Sequence, residues 1–219
     1  MLDLKYIQEN KKNAKGLICF DMDGTLIDAE TLDVIAKEIG VEKQVIKITD
    51  LAMNGQLDFE ESLKKRLELL KGVSEKKIKT ISNNFKLMPG AKELVLKLRQ
   101  KGFVVCIITG GFDIVAEKIG KKLGIDFIIA NTLELENGKI NGDFQLRVNG
   151  NKHKLLRKIR EAVNAKITVA VGDGANDLLM LEEADIGIGF NVKPKLNKQV
   201  KLKIKEKNLL KVLDFIENK

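Results

Sequence analysis

Short apolar runs rich in isoleucine and valine recur along the chain and alternate with stretches of helical periodicity. The runs fall at residues 17–20 (LICF), 103–109 (FVVCIIT), 125–130 (IDFIIA), 167–173 (ITVAVGD) and 186–190 (IGIGF). Runs that are apolar at nearly every position suit strands buried on both faces rather than strands with one wet face. Helices between such strands make parallel crossovers, so the pattern predicts a three-layer α/β fold around a parallel sheet. One hairpin interrupts the series. In LELENGKINGDFQL the pair Asn137-Gly138 sits between alternating residues, and that dipeptide favours a type I′ turn. The lysine-rich stretch VKLKIKEKNLLKVL reads as an edge strand and a final amphipathic helix.

Residues 31–87 break the pattern. They hold several helical repeats and no strand-like run. Asp58 is placed to cap a helix that carries Phe59, Leu63, Leu67 and Leu70 on its apolar side, and Ser74 is placed to cap another. Pro89-Gly90 marks the return to the alternating pattern. The expected organisation is an α/β core, residues 1–30 and 88–219, interrupted after its first strand by a helical insert, residues 31–87.

Composition narrows the function classes. Hydrophobic residues make up 44% of the chain, enough for a real core. Cys19 and Cys106 both lie inside apolar runs, so they read as buried, reduced thiols rather than a disulfide or zinc site. No apolar run is long enough to span a bilayer, and the first sixteen residues lack the apolar middle of a signal peptide, so a cytoplasmic protein is expected. The net charge is +8, which favours anionic ligands. A basic nucleic-acid-binding module is the reading from another class. It is disfavoured because aromatics are only 5% and none interleave with basic runs. The oligomeric state is left open.

The chemistry concentrates at strand ends, where open α/β sheets bind their ligands. The first run ends in Asp21-Met22-Asp23-Gly24-Thr25, two carboxylates that need partners, although an Asp/Gly turn is the plain alternative. The second ends in Thr109-Gly110-Gly111 and runs toward a helix, where a hydroxyl, flexible glycines and free helical N–H groups suit a phosphate. The run at 167–173 ends in Gly172-Asp173-Gly174-Ala175-Asn176-Asp177. Carboxylate oxygens gathered beside a phosphate site suit Mg²⁺. Lys152 lies between these segments ahead of Leu155, Leu156 and Ile159; by itself it reads as one more surface lysine.

Together D-x-D-G-T, T-G-G, Lys and G-D-G-x-N-D, in that order from residue 21 to 177, resemble the motif set of the haloacid dehalogenase superfamily of phosphatases. Glu30, Met53, the run from Asp58 to Arg66 and Gly110-Gly111-Phe112-Asp113 resemble the phosphoserine phosphatases within it. Two positions depart from that group's common pattern: Gly24 and Thr109 stand where serine is usual.

The resemblance implies a haloacid dehalogenase-like, Rossmann-like core with the insert as a helical-bundle cap. It implies Asp21 as nucleophile, forming an aspartyl-phosphate, and Asp23 as general acid, then base. Mg²⁺ would be held by the carboxylates of Asp21 and Asp173 and the main-chain carbonyl of Asp23. Thr109, Gly110 and Lys152 would hold the phosphate, with Asn176 and Asp177 ordering the surroundings. Glu30 would meet the ammonium and Arg66 the carboxylate of phosphoserine, with Met53 and Phe59 along the apolar side. Met53 and Phe59 read equally well as core residues of the insert, and Arg66 as a helix-surface charge. His153 reads as an exposed neighbour of Lys152. Another small phosphomonoester as substrate, or phosphotransfer to an alcohol other than water, fits the same motifs.

Overall fold

The computed structural model describes residues 13–217. Residues 1–12, expected in the core, and residues 218–219 lie outside the described residues. The strands are β1 (Gly16–Phe20), β2 (Phe103–Phe112), β3 (Phe127–Glu136), β4 (Lys139–Gln145), β5 (Thr168–Gly172), β6 (Ile186–Phe190) and β7 (Leu202–Ile204). They form one sheet in the order β4-β3-β2-β1-β5-β6-β7, parallel throughout except for β4.

β1 sits mid-sheet, and its alternation divides the core into two layers. Ile18 and Phe20 pack into one apolar cluster, Leu17 and Cys19 into the other. The first cluster lies under helices α5 (Ala91–Gln100), α6 (Asp113–Leu123) and α10 (Val212–Glu217). The second lies under α7 (Lys152–Val163), α8 (Leu178–Glu183) and α9 (Pro194–Asn197). Cys19 and Cys106 pair in register across β1 and β2 and are free and fully buried.

The insert holds α1 (Thr31–Glu38), α2 (Glu42–Met53), α3 (Phe59–Leu69) and α4 (Glu75–Asn83). Both expected caps form. An Asp58 oxygen accepts from Glu61 N at 2.8 Å, and Ser74 Oγ accepts from Lys77 N at 3.2 Å. Leu63, Leu67, Leu70 and Ile78 join the same apolar cluster as Phe20 and Ile107. The insert is also tied by hydrogen bonds. Gly72 N donates to Ile140 O at 2.8 Å, Glu75 N to Gly138 O at 2.8 Å, and Lys122 Nζ of α6 to Asn83 O at 2.9 Å.

Two sequence expectations change in detail. The run 125–130 and the first arm of the hairpin are one continuous strand, β3, which leaves β2 and pairs with β4 across Asn137 (φ 50°) and Gly138 (φ 70°). Thr109-Gly110-Gly111 does not lead straight into a helix. It forms a bulge inside β2, because Ile108 pairs with Ile129 while Phe112 already pairs with Asn131. The helix begins only at Asp113. The free helical N–H groups expected beside the two glycines are therefore displaced from them.

Candidate active site

The carboxyl ends of β1, the β2 bulge and β5 converge with α1 and α3 on a cavity of about 130 Å³. Asp21, Asp23, Glu30, Asp33 and Asp173 line it, against the cations Arg66 and Lys193, with Thr109, Gly110, Gly111, Phe59 and Asn176. A larger hollow of about 610 Å³ lies at the amino ends of β1 and β2, among Leu96, Arg99 and Phe103, and no described carboxylate lines it.

Lys152 is no surface lysine. It is 3% exposed, and its Nζ lies 2.8 Å from Asp21 Oδ1 and 2.7 Å from Asp177 Oδ1. Burial alone would lower the ammonium's pKa, but the charges of Asp177 and Asp21 outweigh it and hold the group above the ordinary lysine range. Asp177 is 0% exposed and fully used. Its Oδ2 accepts from the N–H groups of Asp173 (3.1 Å) and Gly174 (3.0 Å), and its Oδ1 also takes Asn176 Nδ2 at 3.4 Å. Gly172 must lack a side chain here, since a Cβ would come within 2.5 Å of Asp177 Cγ. Asp177→Ala would take one of two partners from the buried Lys152 ammonium and leave the N–H groups of Asp173 and Gly174 unpaired, so a loss of about 3–5 kcal/mol is expected. The urea midpoint measures it; an unchanged midpoint would mean that Asp177 does not hold this corner.

Burial and the nearby Asp177 charge push the Asp21 carboxyl from 3.8 up to about 7, against the opposing pull of Lys152. Burial, Glu30 and Asp21 push Asp23 well above its ordinary value, although Thr31 opposes this by donating to Oδ2 at 3.0 Å. Asp23 Oδ1 is buried with no hydrogen-bond partner among the described residues. Thr109 Oγ1 accepts from Gly111 N at 2.9 Å, which leaves its own proton to donate.

The donor set fits a hard divalent cation. Carboxylate oxygens of Asp21, Asp173 and Asp177 lie within 4.8 Å of one another. Asp177 is occupied as described. Asp21 gives Oδ1 to Lys152 and Asp173 gives Oδ2 to Lys193 (3.0 Å), so each keeps one oxygen for a cation. Gly24, at φ 69°, lets Asp173 reach inward, because a Cβ there would sit 2.3 Å from Asp173 Oδ2.

Arg66 faces the cavity, half-buried, and its Nε donates to Ser62 O at 3.3 Å. Burial lowers its pKa, opposed by Asp33, Glu30 and Asp23. Phe59 is 40% exposed and packs over Gly110 rather than into the insert's core. Met53 ends α2, and its side chain lies outside the described residues. His153 is half-buried rather than exposed.

Several residues at the site were not expected from the sequence, among them Thr31, Asp33, Lys193 and Asn131. Lys193 bridges Asp173 and Glu30, with Nζ 2.6 Å from Glu30 Oε1, and its N–H donates to Asp173 O at 2.9 Å. The signal was its place just beyond β6, on the same sheet edge as the other motifs. Asn131, 0% exposed within β3, bonds Gly110 O at 2.9 Å. Its only sequence signal is an amide at the end of an apolar run.

The haloacid dehalogenase-like hydrolase family model matches residues 18–182. The chain belongs to that family. Among members of the family it is 43% identical to the phosphoserine phosphatase of Methanocaldococcus jannaschii, over 93% of this chain and 98% of that one. It is 38% identical to that of Lactococcus lactis, over 93% and 96%. It also superposes on a phosphoserine phosphatase solved as a phospho-aspartyl intermediate analogue, with TM-score 0.85, 41% identity, and coverage of 94% of this chain and 99% of that one. The substrate-bound complex of a phosphoserine phosphatase superposes with TM-score 0.85 at 40% identity, covering 93% and 99%.

Proposed function

We propose that this haloacid dehalogenase-like hydrolase is a phosphoserine phosphatase, which cleaves O-phospho-L-serine to serine and phosphate through an aspartyl-phosphate. The observation that carries this reading is a single cavity. Asp21, Thr109 and Gly110 lie in it together with Glu30 and Arg66, a carboxylate and a guanidinium suited to an amino acid's two charges. The names and chain-wide identity of the relatives support it.

In the first displacement the free oxygen of Asp21 attacks phosphorus, and the phosphorus–seryl oxygen bond breaks. Asp23 gives its proton to that oxygen, which would otherwise leave as a strongly basic alkoxide. In the second displacement water attacks phosphorus, Asp23 takes the water's proton, and the bond to Asp21 breaks. Lys152, Thr109 and Gly110 hold the phosphate oxygens; Lys152, already fixed by two carboxylates, needs little reorganisation to do so. Mg²⁺ held by the Asp21 and Asp173 carboxylates and the Asp23 carbonyl would supply the positive charge that lets an anionic nucleophile approach an anionic ester. Residues 31–87 act as a cap that excludes water, with Phe59, Leu63 and Arg66 forming its inner wall. No helix among the described residues is long and apolar enough to cross a membrane, and the free thiols of Cys19 and Cys106 agree with a cytoplasmic enzyme.

The test is kcat/KM over a panel of phosphomonoesters with Mg²⁺ present. Phosphoserine is expected to lead the panel; a sugar phosphate in its place would overturn the substrate. A chelator is expected to silence turnover and Mg²⁺ to restore it, whereas full activity in excess chelator would remove the metal from the scheme.

A further inference from the structure

The β2 bulge leaves a problem that the strands alone do not solve. Three residues of β2, Thr109 to Gly111, stand against Ala130 alone, so the ladder with β3 is broken where the phosphate-side groups lie. A buried carbonyl that loses its ladder partner must find another. For Gly110 the replacement is a side chain: Asn131 Nδ2 donates to its oxygen at 2.9 Å. The N–H of the same peptide, on Gly111, donates to Thr109 Oγ1 at 2.9 Å. The Gly110–Gly111 peptide plane is thus held at both ends.

The other atom of the Asn131 amide acts elsewhere. Oδ1 accepts from Arg147 N at 2.8 Å and Val148 N at 2.9 Å, and Nδ2 also reaches Val148 O at 3.5 Å. Residues 147–151 form the loop that enters α7, whose first residue is Lys152. That loop is closed again by Asn151, which donates to Arg147 O at 3.0 Å and accepts from Asn149 N at 2.9 Å. A single fully buried amide therefore connects the bulge carrying Thr109 and Gly110 to the loop delivering Lys152.

We propose that Asn131 is a positioning residue for phosphoryl transfer, setting the β2 bulge and the Lys152 loop relative to each other. The inference rests on Thr109, Gly110 and Lys152 holding the phosphate. Asparagine is required because one side must donate while the other accepts. Asn131→Asp keeps the acceptor for Arg147 and Val148 but turns an oxygen toward Gly110 O. Asn131→Ser removes the amide donor without burying a charge, and serves if the aspartate variant does not fold.

The experiment measures kcat/KM for phosphoserine and for an aryl phosphate, with competitive inhibition by inorganic phosphate and the melting midpoint. In the folded variant kcat/KM is expected to fall by about 10- to 100-fold on both substrates alike, since the phosphate is common to both. Inhibition by inorganic phosphate is expected to weaken in parallel. A lower midpoint with kinetic and inhibition constants within about twofold of wild type, measured well below melting, would reduce Asn131 to packing and overturn the proposal. A wild type with no preference for phosphoserine would overturn the substrate reading alone, because the aryl phosphate and inorganic phosphate still judge Asn131.

Discussion

Asp21→Asn is expected to lose phosphatase activity by about 10⁴-fold or more, because an amide oxygen is a poor nucleophile. The fold should survive. Lys152 keeps Asp177 at 2.7 Å, and the main-chain bond from Asp21 N to Val171 O does not depend on the side chain. In metal-free buffer the variant is expected to be at least as stable as wild type near neutral pH. The sign follows from the raised carboxyl. Folded Asp21 titrates near 7 and its ordinary value is 3.8, so between these values the folded state holds more protons than the unfolded one. Its contribution vanishes below about pH 3.8, turns increasingly unfavourable as pH rises, and is complete above about 7. Asparagine removes that burden. Single-turnover assays and melting curves from pH 4 to 8 check both halves. Substantial turnover by Asp21→Asn would reject the nucleophile, and a variant that melts far below wild type at pH 7 would reject the electrostatic account.

The sheet and the helices within residues 31–87 were legible because they rest on periodicity. Ile- and Val-rich runs buried on both faces have few alternatives, and the caps at Asp58 and Ser74 are local hydrogen bonds written in neighbouring residues. Asp21, Asp23 and Asp173 were legible as carboxylates at strand ends. Lys152 was legible through its place in a motif set; its own surroundings gave no signal, because its burial depends on Asp21 and Asp177, both far along the chain. The β2 bulge was hidden for a different reason. Thr109-Gly110-Gly111 is compatible with a strand end or a bulge, and the choice depends on the register with β3. Asn131 and Lys193 inherit that non-locality, since one answers a gap in a neighbouring strand and the other joins residues at positions 30 and 173.

Arg66→Ala and Glu30→Gln are expected to separate phosphoserine from simpler esters. Both residues face the cavity, and the guanidinium is half-buried with, among the described residues, only Nε hydrogen-bonded, to Ser62 O. A carboxylate arriving there would gain a charge-assisted, bidentate partner in a partly dry setting. Losing such a contact should lower kcat/KM for phosphoserine by about 30- to 1,000-fold. Glu30 differs in one respect. Lys193 already holds its Oε1 at 2.6 Å, so a substrate ammonium must share that carboxylate or displace the lysine, and the half-exposed Lys193 side chain has solvent to move into. The net gain at Glu30 is therefore smaller than at Arg66, and Glu30→Gln is expected to fall toward the lower end of the range. An aryl phosphate carries neither charged group, so its hydrolysis should change far less in either variant. Contacts of that kind would also hold the insert over the cavity, so kcat on phosphoserine should fall along with affinity. Measuring kcat/KM for both substrates in wild type and both variants decides the matter. Equal losses on the two substrates would assign Arg66 and Glu30 to folding of the insert or to general chemistry, and would remove the structural basis for choosing serine.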